Sequence, residues 1–185
     1  MKMSCKTLKL FCLLFIFTAE VFAQQENQLP SGYGNIKLGM TVEEVKAELK
    51  KDSQFGYRGD RDVSLLPRQE DVLIETDTLK TAPYSFLEKC WFQFYEGKLY
   101  VITINVKTSK MDYFSIFSKL CSKYGEPENF NPEKAQWNDE DVIMSLERPL
   151  ALKYTDKKVY DKILEENYVD KTIQEQRAQD FLEGL

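Results

Sequence analysis

The sequence predicts an α+β fold in which helices pack on an antiparallel β-sheet, and three observations predict it. Two runs rich in aromatic and β-branched residues, Leu87 to Tyr95 and Leu99 to Lys107, flank Glu96-Gly97, a hairpin turn signal. Two other segments have apolar residues three and four apart and open on a polar capping residue, the pattern of amphipathic helices. The order of short strand, helix and strands then recurs, with helix centres roughly 70 residues apart, as in a degenerate tandem of one helix-plus-sheet unit.

The chain begins with a different kind of segment. Met1 to Lys9 carries three lysines, Leu10 to Phe17 is apolar throughout, and Val21-Phe22-Ala23 has the spacing of a cleavage site, so residues 1–23 read as a secretory signal peptide. The apolar run is shorter than the roughly 20 residues a membrane-spanning helix needs, and the mature chain, expected from Gln24, has no transmembrane segment. This places the protein outside the cytoplasm, in the periplasm or the extracellular space. Residues 24–34 are polar and end in Gly32-Tyr33-Gly34, which reads as a flexible N-terminal arm.

The α+β domain is expected over 35–157. Ile36-Lys37-Leu38 alternates as a short strand, Gly39 breaks it, and Thr41 with Glu44 has the spacing of a capping box for a helix from Val42 to about Lys51. Its apolar residues Val42, Val45 and Leu49 make one narrow buried stripe under a charged outer face. Gln54 to Thr81 is rich in turn formers and charges, with extended candidates at Val63 to Leu66 and Val72 to Thr76 separated by Pro67.

In the hairpin that follows, alternation assigns Phe86, Cys90, Phe92 and Phe94 to one face of the first strand, and Tyr100, Ile102, Ile104 and Val106 to one face of the second. These form the core layer. Trp91, Tyr95 and Leu99, beside Gln93, fall on the opposite face, where aromatic side chains mark a candidate binding surface or are covered by another part of the fold.

A second helix spans Met111 to Tyr124, capped by Ser109 and stopped by Gly125 and Pro127, with Phe114, Phe117, Leu120, Cys121 and Tyr124 on its buried side. Ala135 to Trp137, Val142 to Glu147 and Leu150 to Tyr154 make further strands, separated by the turns Asp139-Glu140-Asp141 and Arg148-Pro149. Residues 158–185 are mostly charged, with Ile163, Leu164, Ile173, Phe181 and Leu182 spaced as a weakly amphipathic C-terminal helix that packs or projects towards a partner.

Composition narrows the chemistry. The chain holds 25 basic and 30 acidic residues; removing Lys2, Lys6, Lys9 and Glu20 with the signal leaves 22 and 29, a net charge of −7 that disfavours nucleic acid and anionic lipid. Of four cysteines, Cys5 and Cys12 leave with the signal, and neither sits in a lipid-attachment context. Cys90 and Cys121 remain, and in an oxidising compartment the pair reads as a disulfide whose loop of about 30 residues contributes 2 to 4 kcal/mol. Histidine is absent, which removes the usual general base, the commonest zinc ligand and every Ser-His or Cys-His pairing. No dinucleotide, P-loop, EF-hand or zinc-protease motif occurs, so no cofactor, metal or catalytic residue is assigned.

Other patterns have plainer explanations. Arg58-Gly59-Asp60 matches an adhesion tripeptide but is common in turns, and Asp139-Glu140-Asp141 lacks the spacing of a calcium loop and reads as a solvated hairpin tip. Carboxylate neighbours such as Asp60 and Asp62, or Glu43 and Glu44, point in different directions along the chain and make poor acid–base pairs.

Ile36 to Val45, reading I-K-L-G-M-T-V-E-E-V, resembles the signature of the small outer-membrane-assembly lipoprotein family, whose domains group with β-lactamase-inhibitor-protein-like folds. Leu120 to Pro127 is similar to the L-x-x-x-Y-G-x-P helix ending of such exported domains. The resemblance implies helices on one face of an antiparallel sheet and a binding role in the cell envelope. The expected function is therefore that of an exported, non-catalytic module that binds another envelope protein or a small ligand through its sheet face or C-terminal helix. A second reading is an inhibitor that inserts loops from 54–81 into a secreted enzyme, and a third is a histidine-free hydrolase working through carboxylates.

Overall fold

A computed structural model describes residues 28–65, 72–79 and 81–183. Among the described residues ten strands form in chain order: β1 (Gly32–Tyr33), β2 (Ile36–Lys37), β3 (Val63–Leu65), β4 (Val72–Asp77), β5 (Leu87–Tyr95), β6 (Lys98–Val106), β7 (Asn129–Phe130), β8 (Lys134–Asn138), β9 (Val142–Glu147) and β10 (Ala151–Asp156). The helices are α1 (Val42–Lys51), α2 (Tyr113–Tyr124) and α3 (Lys157–Glu183). β1 and β2 pair as a ribbon, and the other eight strands make one antiparallel sheet in the order β3-β4-β5-β6-β10-β9-β8-β7. This mixed α+β architecture is the one expected. The strand order is symmetric about the central β6–β10 pair: two four-stranded meanders meet there, and each follows a capped helix.

Local chemistry accounts for the elements. Thr41 accepts from the Glu44 amide while the Glu44 carboxylate accepts from the Thr41 amide, so the capping box starts α1 as its sequence predicts. The β5–β6 turn places Glu96 and Gly97 at φ of 49° and 75°, a pair of positive values that matches the right-handed twist of the strands it joins. The cap of α2 differs from expectation. Asp112, three residues after Ser109, accepts from the Ser115 amide and the helix starts at Tyr113, because an ionised carboxylate is the stronger acceptor for free N–H groups at the positive end of the helix dipole.

One face of the sheet is buried beneath α1 and α2. Ile74, Cys90, Phe92, Phe94, Leu99, Ile102, Ile104, Met144 and Leu146 are each at most 1% exposed, and Val45 and Leu49 of α1 and Leu120 of α2 join the same cluster. Each such aliphatic or aromatic side chain removed from water contributes roughly 1.5–3 kcal/mol before entropy is counted. α2 adds an aromatic layer: Phe117 lies 6.2 Å from Trp137 and 5.5 Å from Phe130, ring centre to ring centre.

Two register shifts in the β5–β6 pair, between Leu87 and Cys90 and between Gln93 and Phe94, move side chains off strict alternation. Leu87 enters the core at 2% exposure in place of Phe86, which is 49% exposed. Leu99 likewise turns inward opposite Phe94, while Tyr100 is only half-buried and bonds to Gln93. Phe114, expected on the buried side of α2, is 73% exposed.

The ends of the domain also differ from the sequence reading. Of the arm expected over 24–34, the described part is held in place: Leu29 is 7% exposed, its amide donates to Asp139, and Gly32–Tyr33 pairs with β2. The signal peptide and Pro67 lie outside the described residues. No helix among the described residues is long and apolar enough to cross a membrane.

Candidate binding face

The sheet face opposite the helices is built by cross-strand register. Glu75, Trp91, Thr103, Lys153, Ser145 and Gln136 lie directly opposite one another on successive strands and form one row across six strands. Leu73, Gln93, Val101, Thr155, Ile143 and Asn138 form the next. The first row is polar apart from Trp91, the second mixes polar side chains with Leu73, Val101 and Ile143, and most of both are half-buried, as on a face shaded only by its own neighbours.

Trp91 and Tyr95 stand on this face, as alternation predicted. Leu99 does not: it is 1% exposed and part of the core, so its assignment as a binding residue is corrected. The extra residue of the bulge puts Tyr100 beside Tyr95 instead, with ring centres 6.2 Å apart, and the Tyr100 hydroxyl donates to Gln93 Oε1. Alternation alone could not reveal that exchange, because a bulge leaves no signature in the apolar pattern of β6.

α3 is anchored at one end of this face. The Tyr95 hydroxyl donates to Glu166 at 2.8 Å, Lys162 donates to Glu96 at 3.0 Å, and the same ammonium sits 4.9 Å from the Tyr95 ring centre. The Glu166 carboxylate raises the phenol of Tyr95, and the hydrogen bond to Glu96 raises Lys162, so each group is held in its protonated form. Lys158 pairs with Asp141 at 2.6 Å. Beyond these contacts Leu164, Tyr168, Phe181 and Leu182 are 49–73% exposed.

The second meander contributes an ordered polar ladder. Lys134 Nζ donates to Gln136 Oε1, Gln136 Nε2 to Asn138 Oδ1, and Asn138 Nδ2 to Glu128, so the amides are held in fixed orientations.

The remaining sequence candidates lie elsewhere. Cys90 and Cys121 are free thiols, so the expected disulfide is not formed; Cys90 is fully buried on the inner face of β5, and Cys121 lies 3.9 Å from Glu126 on the last turn of α2. Arg58 is tied to buried Asp62, and Asp60 pairs with Lys46, so the adhesion-like tripeptide is part of a structured turn. Asp139 is occupied by the amides of Leu29, Asp141 and Val142. Among the described residues no group of three or more potential metal ligands converges.

The described ends of the 54–81 stretch are fastened: Phe55 is 3% exposed, and the Thr81 hydroxyl donates to the Gly56 carbonyl, where a Cβ would come within 2.2 Å of that hydroxyl oxygen. A shallow depression of about 690 Å³ is walled by amide, carboxylate and lysine side chains around Asp139 to Asp141.

Compared with known proteins, the chain matches the family model of the TP0088 domain over residues 31–166. No curated protein and no solved structure matches it.

Proposed function

The chain belongs to the TP0088 domain family, and from the composition of its N-terminal segment and the geometry of its open face we propose that it is an exported, non-catalytic binding module of the cell envelope. The observation that carries the reading is the outer sheet face, where Trp91, Tyr95 and Tyr100 stand among fixed polar groups and α3 is anchored at one end. Half-exposed aromatic side chains in a polar surround are the usual anchors of recognition surfaces. Export rests on the basic and apolar composition of residues 1–23.

We also infer that the two helix-plus-meander halves are a degenerate tandem repeat of the β-lactamase-inhibitor-protein-like kind, a reading supported by the symmetric strand order and by a capped helix before each half. The module acts by presenting the sheet face to an envelope partner or a small ligand.

The test is site-specific photo-crosslinking of the full chain in its native host. A photoreactive side chain at Trp91 should trap a defined partner or ligand, and one at Phe130, which packs against α2 at the far end of the sheet, should not. Turnover of a defined substrate by the purified protein, lost when a residue lining one of its depressions is substituted, would refute the non-catalytic reading.

A further inference from the structure

The central row of the outer face holds three adjacent side chains whose hydrogen-bonding capacity is unspent. Trp91, Thr103 and Lys153 are direct neighbours on β5, β6 and β10. Among the described residues the Trp91 indole N–H, the Thr103 hydroxyl and the Lys153 ammonium make no side-chain hydrogen bond or ion pair. Two other lysines of the face are engaged: Lys89 pairs with Glu75, and Lys134 donates to Gln136. Lys153 is therefore a cation with no ion-pair partner among the described residues, near the middle of an eight-stranded sheet, while the acidic residue of its row, Glu75, is paired with Lys89.

Resting on the outer face as the working surface, we propose that the Trp91–Thr103–Lys153 row binds an acidic saccharide, a carboxylate-bearing sugar unit with its neighbouring ring. Three hydrogen-bond donors in line call for a ligand rich in acceptors, and the cation calls for an anion. With neighbouring strands about 4.8 Å apart, Trp91 and Lys153 are about 10 Å apart at their Cα atoms, a span covered by two linked sugar rings.

The indole offers a flat platform for the C–H face of one ring while Lys153 meets the carboxylate of the next. Thr103 lies between them, and Gln93 beside Trp91 has its amide N–H groups available while its oxygen accepts from Tyr100. An acidic peptide fits less well. The strands of this row are already paired on both sides, so no free edge is present for strand addition.

The experiment is titration of the full chain, followed by tryptophan fluorescence and calorimetry, with trigalacturonate, its methyl ester, a hyaluronan tetrasaccharide and a hexaglutamate peptide. Binding of at least one acidic saccharide is expected, with the methyl ester of trigalacturonate at least about tenfold weaker than the acid. Lys153→Met should remove that discrimination and leave ester binding unchanged, and Trp91→Ala should weaken acid and ester alike. Both side chains lie on the outer face, so matching denaturation midpoints confirm that the variants are folded.

The proposal is overturned if neither acidic saccharide binds at millimolar concentration, if Lys153→Met binds the acid as wild type does, or if hexaglutamate binds more tightly than the saccharides. A protein partner crosslinked at Trp91 without saccharide binding would refute the ligand class and leave the binding-module reading standing; failure of both would remove the outer face as a functional surface.

Discussion

Cys90 shows how strongly one position in this sheet is fixed by its surroundings. Its side chain is fully buried between Thr76 and Ile104 on neighbouring strands, and desolvation pushes its thiol up to about 12, so it stays protonated and unreactive across the physiological range. Cys121 is also raised, by partial burial and then by the Glu126 carboxylate, but it remains half-exposed. Alkylation of the native protein at pH 8 should therefore modify Cys121 slowly and spare Cys90, with both labelling fully in denaturant; peptide mass spectrometry reads the difference. Leu99 gives the complementary test of the bulge. Leu99→Ala should cost about 2–5 kcal/mol of unfolding free energy, the range for emptying a core site, and leave the Trp91 surface unchanged. A loss under 1 kcal/mol would mean that Leu99 faces solvent.

Helix ends decide the next scale. α2 is capped by Asp112, whose carboxylate accepts from both the amide and the hydroxyl of Ser115. These bonds favour the ionised form and lower its pKa below the usual 3.8. Since the folded pKa is the lower one, the cap's contribution is present above the unfolded value and is lost as pH falls through the folded one. Asp112→Ala should lower the urea midpoint at pH 7 and flatten the decline in stability below about pH 4, whereas Ser109→Ala should change neither. Equal effects of the two substitutions would return the helix start to Ser109. At α1 the capping box forms as read from Thr41 and Glu44, because that motif is complete within four consecutive residues.

Across the whole molecule, the sheet carries the stability and α3 is an appendage. This helix of 27 residues extends about 40 Å, yet among the described residues the links that tie its first turns to the sheet are solvent-exposed, among them the pairs Lys158–Asp141 and Lys162–Glu96 and the Tyr95–Glu166 hydrogen bond. Exposed pairs of this kind contribute little. A chain ending at Asp156 should unfold at the same denaturant concentration as the full chain and still display the β5–β6 hairpin; a large loss of midpoint would show that α3 is part of the core. The sequence by itself determined the α+β class, the hairpin at Glu96-Gly97, the α1 cap and the outward placement of Trp91 and Tyr95, because each depends on residues close together in the chain or on strict alternation. Only the tertiary structure decided the inward turn of Leu99, the outward turn of Phe86, the free thiols, and the alignment of Trp91, Thr103 and Lys153. Those outcomes depend on bulges and on the pairing of β6 with β10, strands about 50 residues apart, and register between distant strands is settled by packing the whole sheet at once.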